Sequence, residues 1–352
     1  VMPTGQGKSL CFQLPAIISK SKTVVVAPLI SLMNDQASSL VAVGIKCETI
    51  HSDKDRDENI LAWKNFSIGS SKILYISPER LTTNRMLEAL SKMDIGLFVI
   101  DEAHCISKWG NNFRPEYEAL SIIKERFPNA VISAFTATAD AATRKDINQK
   151  LTGGVGSVLL LGFNRTNLSF SVRQKKDFKG EIIEIIRERP GLSGIIYCLS
   201  KRETDEMCHF LQSHGLNAIS YHAGKDSQTK DQAQSRFMTE KAVIMVATVA
   251  FGMGIDKSDI RFVIHANLPA NIEDFYQGIG RAGRDNNPSD TIMFFSLKDL
   301  MTRQRMIFDG KGDNSFKMLE YKRLESLVGY CETIGCRKVA ILSYFDEPSE
   351  PC

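Results

Sequence analysis

Residues 97–104 read Leu-Phe-Val-Ile-Asp-Glu-Ala-His (LFVIDEAH). An apolar run without alternation fits a strand buried on both faces, which is the habit of a parallel sheet covered by helices. The two carboxylates that end the run then fall at the C-terminal edge of the sheet, where open α/β folds gather their ligands. Working outward, similar β-branched runs stand at 23–28, 73–77 and 131–136, each followed by a longer segment with helical spacing. A second series follows at 194–198, 218–221, 242–247, 262–266 and 291–295. Two α/β sheets account for this better than one very wide sheet. The polar stretch 162–171 (GFNRTNLSFS) breaks the periodicity between the two series, so the boundary is expected there. Beyond about Leu300 the pattern turns helical, with 317–330 amphipathic and no further strand run.

Composition narrows the class without deciding it. The chain of 352 residues is 43% hydrophobic and 24% charged, ordinary for a globular protein. Lys plus Arg exceed Asp plus Glu by 44 to 41, so any nucleic-acid site must be a local patch. The longest apolar runs fall far short of the roughly 20 residues of a membrane span. Eight scattered cysteines, two of them (Cys11 and Cys198) in strand-like runs, fit reduced thiols in an intracellular protein. The first residues already belong to a phosphate-binding motif, so the chain reads as a fragment at its N-terminus.

That motif is residues 2–9, Met-Pro-Thr-Gly-Gln-Gly-Lys-Ser. Thr4, Gly5 and Gly7 are small enough for backbone N–H groups to wrap a phosphate at a helix N-terminus, Lys8 would hold the β- and γ-phosphates of ATP, and Ser9 a Mg²⁺ ion. Met2 stands where the strict pattern has Gly. Asp101 would take Mg²⁺ directly or through water, and Glu102 would activate the attacking water. The bland alternative is that both acids cap the next helix. His104 is either a satisfied core histidine or a link between the acids and neighbouring elements.

Joined to the P-loop motif, the DEAH string resembles superfamily 2 helicases, and residues 101–117 (DEAHCISKWGNNFRPEY) resemble the aromatic-rich loop of the RecQ family, which couples DNA binding to ATP hydrolysis there. Further strings in the family's order are 27–36 (APLISLMNDQ), 76–81 (ISPERL), 135–139 (FTATA), 195–200 (IIYCLS), 246–269 (VATVAFGMGIDKSDIRFVIHANLP) and 277–285 (QGIGRAGRD). Asn111, Asn112 and Gly278 depart from the family pattern, which often has a histidine, an acid and a glutamate there. The resemblance implies two tandem RecA-like parallel-sheet lobes, at 1–162 and 163–300, and a partial zinc-binding subdomain at 301–352.

It also implies roles. Arg281 and Arg284, with Gln277, would serve the γ-phosphate as arginine fingers. Their spacing is expected to put both guanidiniums on one face of a helical turn, with Gly280 and Gly283 allowing close packing. Gly252, Gly254 and Asp256 fit a turn at the nucleotide, with Asp256 linking it to DNA. Trp109, Phe113 and Arg114 form an aromatic and basic cluster suited to stacking single-stranded bases and holding phosphate, unless the two rings merely close the core. Ser77, Arg80, Thr136 and Thr248 are expected to track the backbone. Cys336 and Cys352 map to the first two zinc ligands of the family, with the remaining ligands beyond the last residue and no stable zinc site expected. Cys331 has no ligand role in that mapping.

The resulting expectation is ATP hydrolysis with Mg²⁺, coupled to translocation on single-stranded DNA, 3′ to 5′ by resemblance, and to duplex unwinding in DNA repair and recombination. Expected partners are single-stranded and branched or forked DNA, in the bacterial cytoplasm and nucleoid or the eukaryotic nucleus. An RNA helicase of the same superfamily and a catalytically silent nucleic-acid-binding fragment are the competing readings.

Overall fold

The computed structural model describes residues 1–3, 5–107, 114–249, 251 and 257–351. They form two compact units, Val1–Gly162 and Phe163–Cys352. In the first, β1 (Lys22–Val26), β2 (Cys47–Ile50), β3 (Ile73–Ile76), β4 (Ile95–Ile100) and β5 (Val131–Ala134) make one sheet in the order β2-β3-β1-β4-β5. In the second, β6 (Leu168–Gln174), β7 (Ser193–Tyr197), β8 (Ala218–Tyr221), β9 (Ile244–Ala247), β10 (Ile260–His265) and β11 (Ser289–Phe295) run in the order β6-β11-β10-β7-β9-β8. Every recorded pairing is parallel, as the unbroken apolar runs predict.

The two-residue period of a strand sends neighbours to opposite faces. Val24 and Val26 therefore pack with Leu74, Ile76 and Phe98 against Phe66, Leu87 and Tyr117. Val25 and Ala27 pack with Tyr75 and Val99 against Phe12, Met33 and Leu40. Both faces are covered, which is why the strands carry no polar alternation. In the second unit, Ile196, Val246, Ile264 and Phe294 bury against Ile182, Ile186, Met207 and Leu211.

Two strands were absent from the sequence reading, and both are sheet edges. β2 and β6 have mixed exposure along their length, so neither shows a continuous apolar run. The second half of the 162–171 stretch, expected to be a connection, is in fact the start of β6, which pairs with β11 over its whole length.

The C-terminal helices Leu297–Asp309, Asn314–Glu332 and Arg337–Tyr344 belong to the second compact unit. They pack on the helix Ile272–Ile279: the rings of Phe275 and Tyr330 lie 5.2 Å apart, and Tyr344 donates to Glu273 Oε1 at 2.6 Å. Phe345 stacks on Phe163 at 4.3 Å. No helix among the described residues is long and apolar enough to cross a membrane.

Candidate nucleotide site and arginine loop

In the first unit, Gly5 and Gly7 adopt left-handed backbone (φ 83° and 78°), a conformation that side chains disfavour. Gly7 leads directly into the helix Lys8–Ile18, which starts without a side-chain cap. Its first N–H groups and the positive end of its dipole suit an anion. Lys8 and Ser9 open that helix. Asp101 leaves the C-terminal end of β4 with 4% exposure, and accepts from Gln36 Nε2 at 3.1 Å and from the Glu102 N–H at 2.9 Å. Burial and repulsion by Glu102 push its carboxyl above the usual range, against the pull of Lys8. Lysine, helix N-terminus and two acids thus belong to one electrostatic neighbourhood.

Glu102 has φ 49° and ψ 46°, unusual for a residue with a side chain. Such strain typically costs about 1–3 kcal/mol and collects at functional sites. It is held by flanking bonds from Asp101 N to Val26 O and from Ala103 N to Phe135 O, each 2.8 Å. His104 Nδ1 lies 3.4 Å from Glu102 Oε2 and 2.9 Å from Thr136 Oγ1. Burial opposes the charged imidazole, but hydrogen bonding to Cys105 and Glu102 overcomes it and the ring is pushed up to about 10. His104 therefore stands as a cation beside Glu102 and links it to the 135–139 string.

In the second unit, the helix Ile272–Ile279 ends before either arginine. Arg281 and Arg284 sit on the following turn, and Gly283 between them has φ 55°. The two arginines therefore lie on a turn and not on a continuous helix, and the charges of both act on the Tyr197 phenol. A Cβ on Gly283 would meet Asn167, and would stand 2.8 Å from both the Asn287 carbonyl and Ser289 Oγ. Arg165 Nη2 donates to the carbonyls of Ala282 and Gly283 at 2.8 Å each, and Asn167 Nδ2 to Gly283 O at 2.8 Å and Asn287 O at 3.0 Å. Arg261 pairs with Asp285. Arg281 is 6% exposed. Gln277 is half-buried on the preceding helix.

The nucleic-acid candidates separate by orientation. Arg80 is exposed and Ser77, which precedes the short helix Pro78–Leu81, makes no capping bond through its side chain. Thr248 is half-buried. Thr136 is 3% exposed, and its hydroxyl serves His104 and the Thr138 carbonyl, so it faces the core. Arg114 directs Nη1 to the Pro28 carbonyl at 2.8 Å, tying the end of the loop to the 27–36 string. Thr4, Trp109, Phe113, Gly252, Gly254, Asp256 and Cys352 lie outside the described residues.

The chain matches the DEAD/DEAH box helicase model at residues 1–147, the helicase conserved C-terminal domain at 178–286 and the RecQ zinc-binding model at 297–352. It is 38% identical to the ATP-dependent DNA helicase RecQ of Pasteurella multocida over 353 aligned positions, covering 100% of this chain and 56% of that protein. The Bacillus subtilis protein of the same name is 39% identical, over 99% of this chain and 59% of its own length. The chain belongs to the RecQ family. It spans a little over half the length of these bacterial relatives. Among solved structures, the Mycobacterium smegmatis helicase Lhr bound to ssDNA and AMP-PNP aligns at a TM-score of 0.63 and 16% identity, covering 98% of this chain and 51% of that one. The helicase MrfA bound to DNA and AMPPNP aligns at 0.67 and 18%, covering 88% and 47%. At that identity the two structures speak for the fold alone.

Several residues of this RecQ chain that build the two sites went unassigned at the sequence level. Gln36 closes the string 27–36 and Tyr117 closes the string 101–117, where its hydroxyl donates to the Asp101 carbonyl at 3.0 Å. Arg165 and Asn167 were hidden in the stretch read as a connection. For zinc, Cys336 is half-buried at the start of the helix Arg337–Tyr344. Cys331 is buried, and burial pushes its thiol up to about 12. Among the described residues no group of three His, Cys, Asp or Glu is placed to hold a metal ion, so they do not by themselves furnish a zinc set.

Proposed function

We propose that this chain is the motor core of an ATP-dependent DNA helicase that translocates 3′ to 5′ on single-stranded DNA and unwinds branched or forked duplexes in DNA repair and recombination. The observation that carries the reading is the strained Glu102, adjacent to buried Asp101 and paired with a cationic His104, in the same electrostatic neighbourhood as Lys8. When bound, ATP with Mg²⁺ supplies the transferable phosphoryl group. Asp101, Ser9 and Lys8 are the residues that would hold it, with the Gly5–Gly7 backbone and the helix N-terminus. The Glu102 carboxylate takes the proton of the attacking water, with His104 Nδ1 beside it at 3.4 Å. Arg281 and Arg284 offer fixed donors to developing charge on phosphoryl oxygens. Cys336 and Cys352 would hold Zn²⁺ together with two further ligands.

The test is ATP hydrolysis with and without single-stranded DNA or RNA, beside Glu102→Gln. Stimulation by DNA above RNA, abolished in a variant that still binds ATP, is the expected result. Equal stimulation by RNA would favour an RNA helicase, and nucleic-acid binding without turnover would leave a binding module.

A further inference from the structure

Gln36 stands on the helix Ile30–Ala42, three residues after Met33 and four before Leu40, both of which are buried. Positions three and four apart share a helix face, so the Gln36 side chain leaves the margin of that buried face, and it is half-buried. Its Nε2 donates to Asp101 Oδ2 at 3.1 Å. The oxygens of an ionised carboxylate only accept, so the nitrogen is the end of the amide that faces them. Three further bonds hold residue 101 at other atoms. Its N–H goes to Val26 O at 2.8 Å, its carbonyl accepts from the Tyr117 hydroxyl at 3.0 Å, and Oδ1 accepts from the Glu102 N–H at 2.9 Å. The terminal torsion of an aspartate is broad. One anchor at Oδ1 lets the carboxylate swing, and the second at Oδ2 fixes its plane. Gln36 Oε1 is buried and has no hydrogen-bond partner among the described residues. A buried acceptor calls for a donor, and the O–H of a cation-bound water has the chemistry to supply one beside a ligating carboxylate.

We propose that Gln36 is a positioning residue for the divalent cation of the nucleotide: its amide holds the Asp101 carboxylate in the orientation that receives the ion. This rests on the motor reading above, in which Asp101 holds Mg²⁺. A partner that orients a ligating carboxylate tunes metal binding without touching the metal. The helix that carries Gln36 is braced at its entry, where Arg114 Nη1 donates to the Pro28 carbonyl at 2.8 Å. The amide is therefore delivered by a fixed element, which places a group more sharply than a loop does.

The experiment measures the affinity of the chain for AMP-PNP in Mn²⁺, which shares the oxygen-ligand preference of Mg²⁺, and again in EDTA. The ratio of the two affinities is the contribution of the ion. Gln36→Met keeps the bulk of the side chain without its donor, Gln36→Ala removes both, and each residue is a good helix former. In both variants the ratio is expected to fall roughly ten- to a hundredfold, the range that loss of a bond to a metal ligand costs. Affinity in EDTA should stay within about twofold of wild type, because the loop backbone and Lys8 hold phosphate without the ion. ATP turnover with single-stranded DNA should need correspondingly more Mg²⁺ to reach half its maximal rate. A wild-type ratio in Gln36→Met would overturn the inference, since any loss confined to Gln36→Ala then belongs to bulk. Equal losses in Mn²⁺ and in EDTA would overturn it as well. If the wild-type ratio is itself near one, Asp101 does not hold the cation, and the motor reading fails together with this inference; a large wild-type ratio that both variants keep sinks the inference alone.

Discussion

Arg165 Nη2 lies 2.8 Å from the carbonyl oxygen of Gly283, and the same nitrogen reaches the Ala282 carbonyl at an equal distance. A buried backbone carbonyl outside a helix or sheet needs a donor from elsewhere. Here one buried guanidinium satisfies two such carbonyls on the turn that separates Arg281 from Arg284. Lysine cannot reproduce a planar fork from a point charge. Arg165→Lys is expected to destabilise the second unit by about 1–3 kcal/mol, the cost of leaving a buried acceptor unpaired, and to slow ATP turnover more than it weakens ATP binding. Chemical denaturation and steady-state kinetics on the same preparation measure the two effects. An unchanged denaturation midpoint would show that the Ala282 carbonyl is satisfied without Arg165.

Gly283 presents the same loop from the backbone side. Its φ of 55° and the crowding of a would-be Cβ against Asn167, Asn287 and Ser289 leave no space for a side chain. Gly283→Ala is expected to cost about 1–3 kcal/mol, from left-handed strain plus displaced neighbours. Thermal unfolding reads it. A midpoint at the wild-type value would mean the loop relaxes into another conformation, and turnover would then report whether Arg281 and Arg284 survive the change.

These two positions show where the sequence was legible and where it was not. Central strands announce themselves, because Val24–Val26 and Phe98–Ile100 are buried on both faces and so carry no polar residue. Of the four edge strands, β5 and β8 were read from their apolar runs, whereas β6 is partly exposed along its length and hid in a polar stretch. The candidate catalytic acids at the end of β4 were readable, since two carboxylates after an apolar run have few structural uses. The residues that orient them were not. Gln36, Tyr117 and, in the second unit, Arg165 act through hydrogen bonds to partners distant in sequence, such as Arg165 and Ala282, 117 positions apart, and no local pattern encodes a contact of that range. Thr136 shows the converse, a polar residue in a motif whose hydroxyl turns inward.

That inward hydroxyl makes its own prediction. Thr136 Oγ1 accepts from His104 Nδ1 at 2.9 Å and donates to the Thr138 carbonyl at 3.0 Å, so it fixes the ring that stands beside Glu102. Thr136→Val keeps the shape and removes the bonds. Turnover is expected to fall about tenfold, toward the low end of what a misplaced acid–base group loses, with ATP affinity unchanged. Thr136→Ser, which keeps the hydroxyl, should restore most of the rate. If the serine and valine variants are equally slow, the methyl group and its packing matter and the hydrogen bond does not.

The last prediction concerns acid. His265 is 2% exposed, its Nε2 has no partner among the described residues, and burial, reinforced by Arg303, pulls its imidazole down to about 3. An unfolded chain would protonate the same ring near 6.5. Between those values the unfolded state binds the additional proton, so stability rises with pH and is lost as pH falls below about 6.5; the loss ends only near pH 3, where the folded ring also takes a proton. One group in that position contributes a slope of up to about 1.4 kcal/mol per pH unit. Denaturation of the wild type and His265→Phe at pH 6.5, 5.75 and 5 should therefore give a shallower pH dependence for the variant, whatever its absolute stability. The argument uses slopes because the larger phenyl ring must share space with Gly278 and Tyr197, which shifts both states of the titration alike. Parallel slopes would show that the folded protein protonates His265 as readily as the unfolded chain does, which requires water to reach the ring.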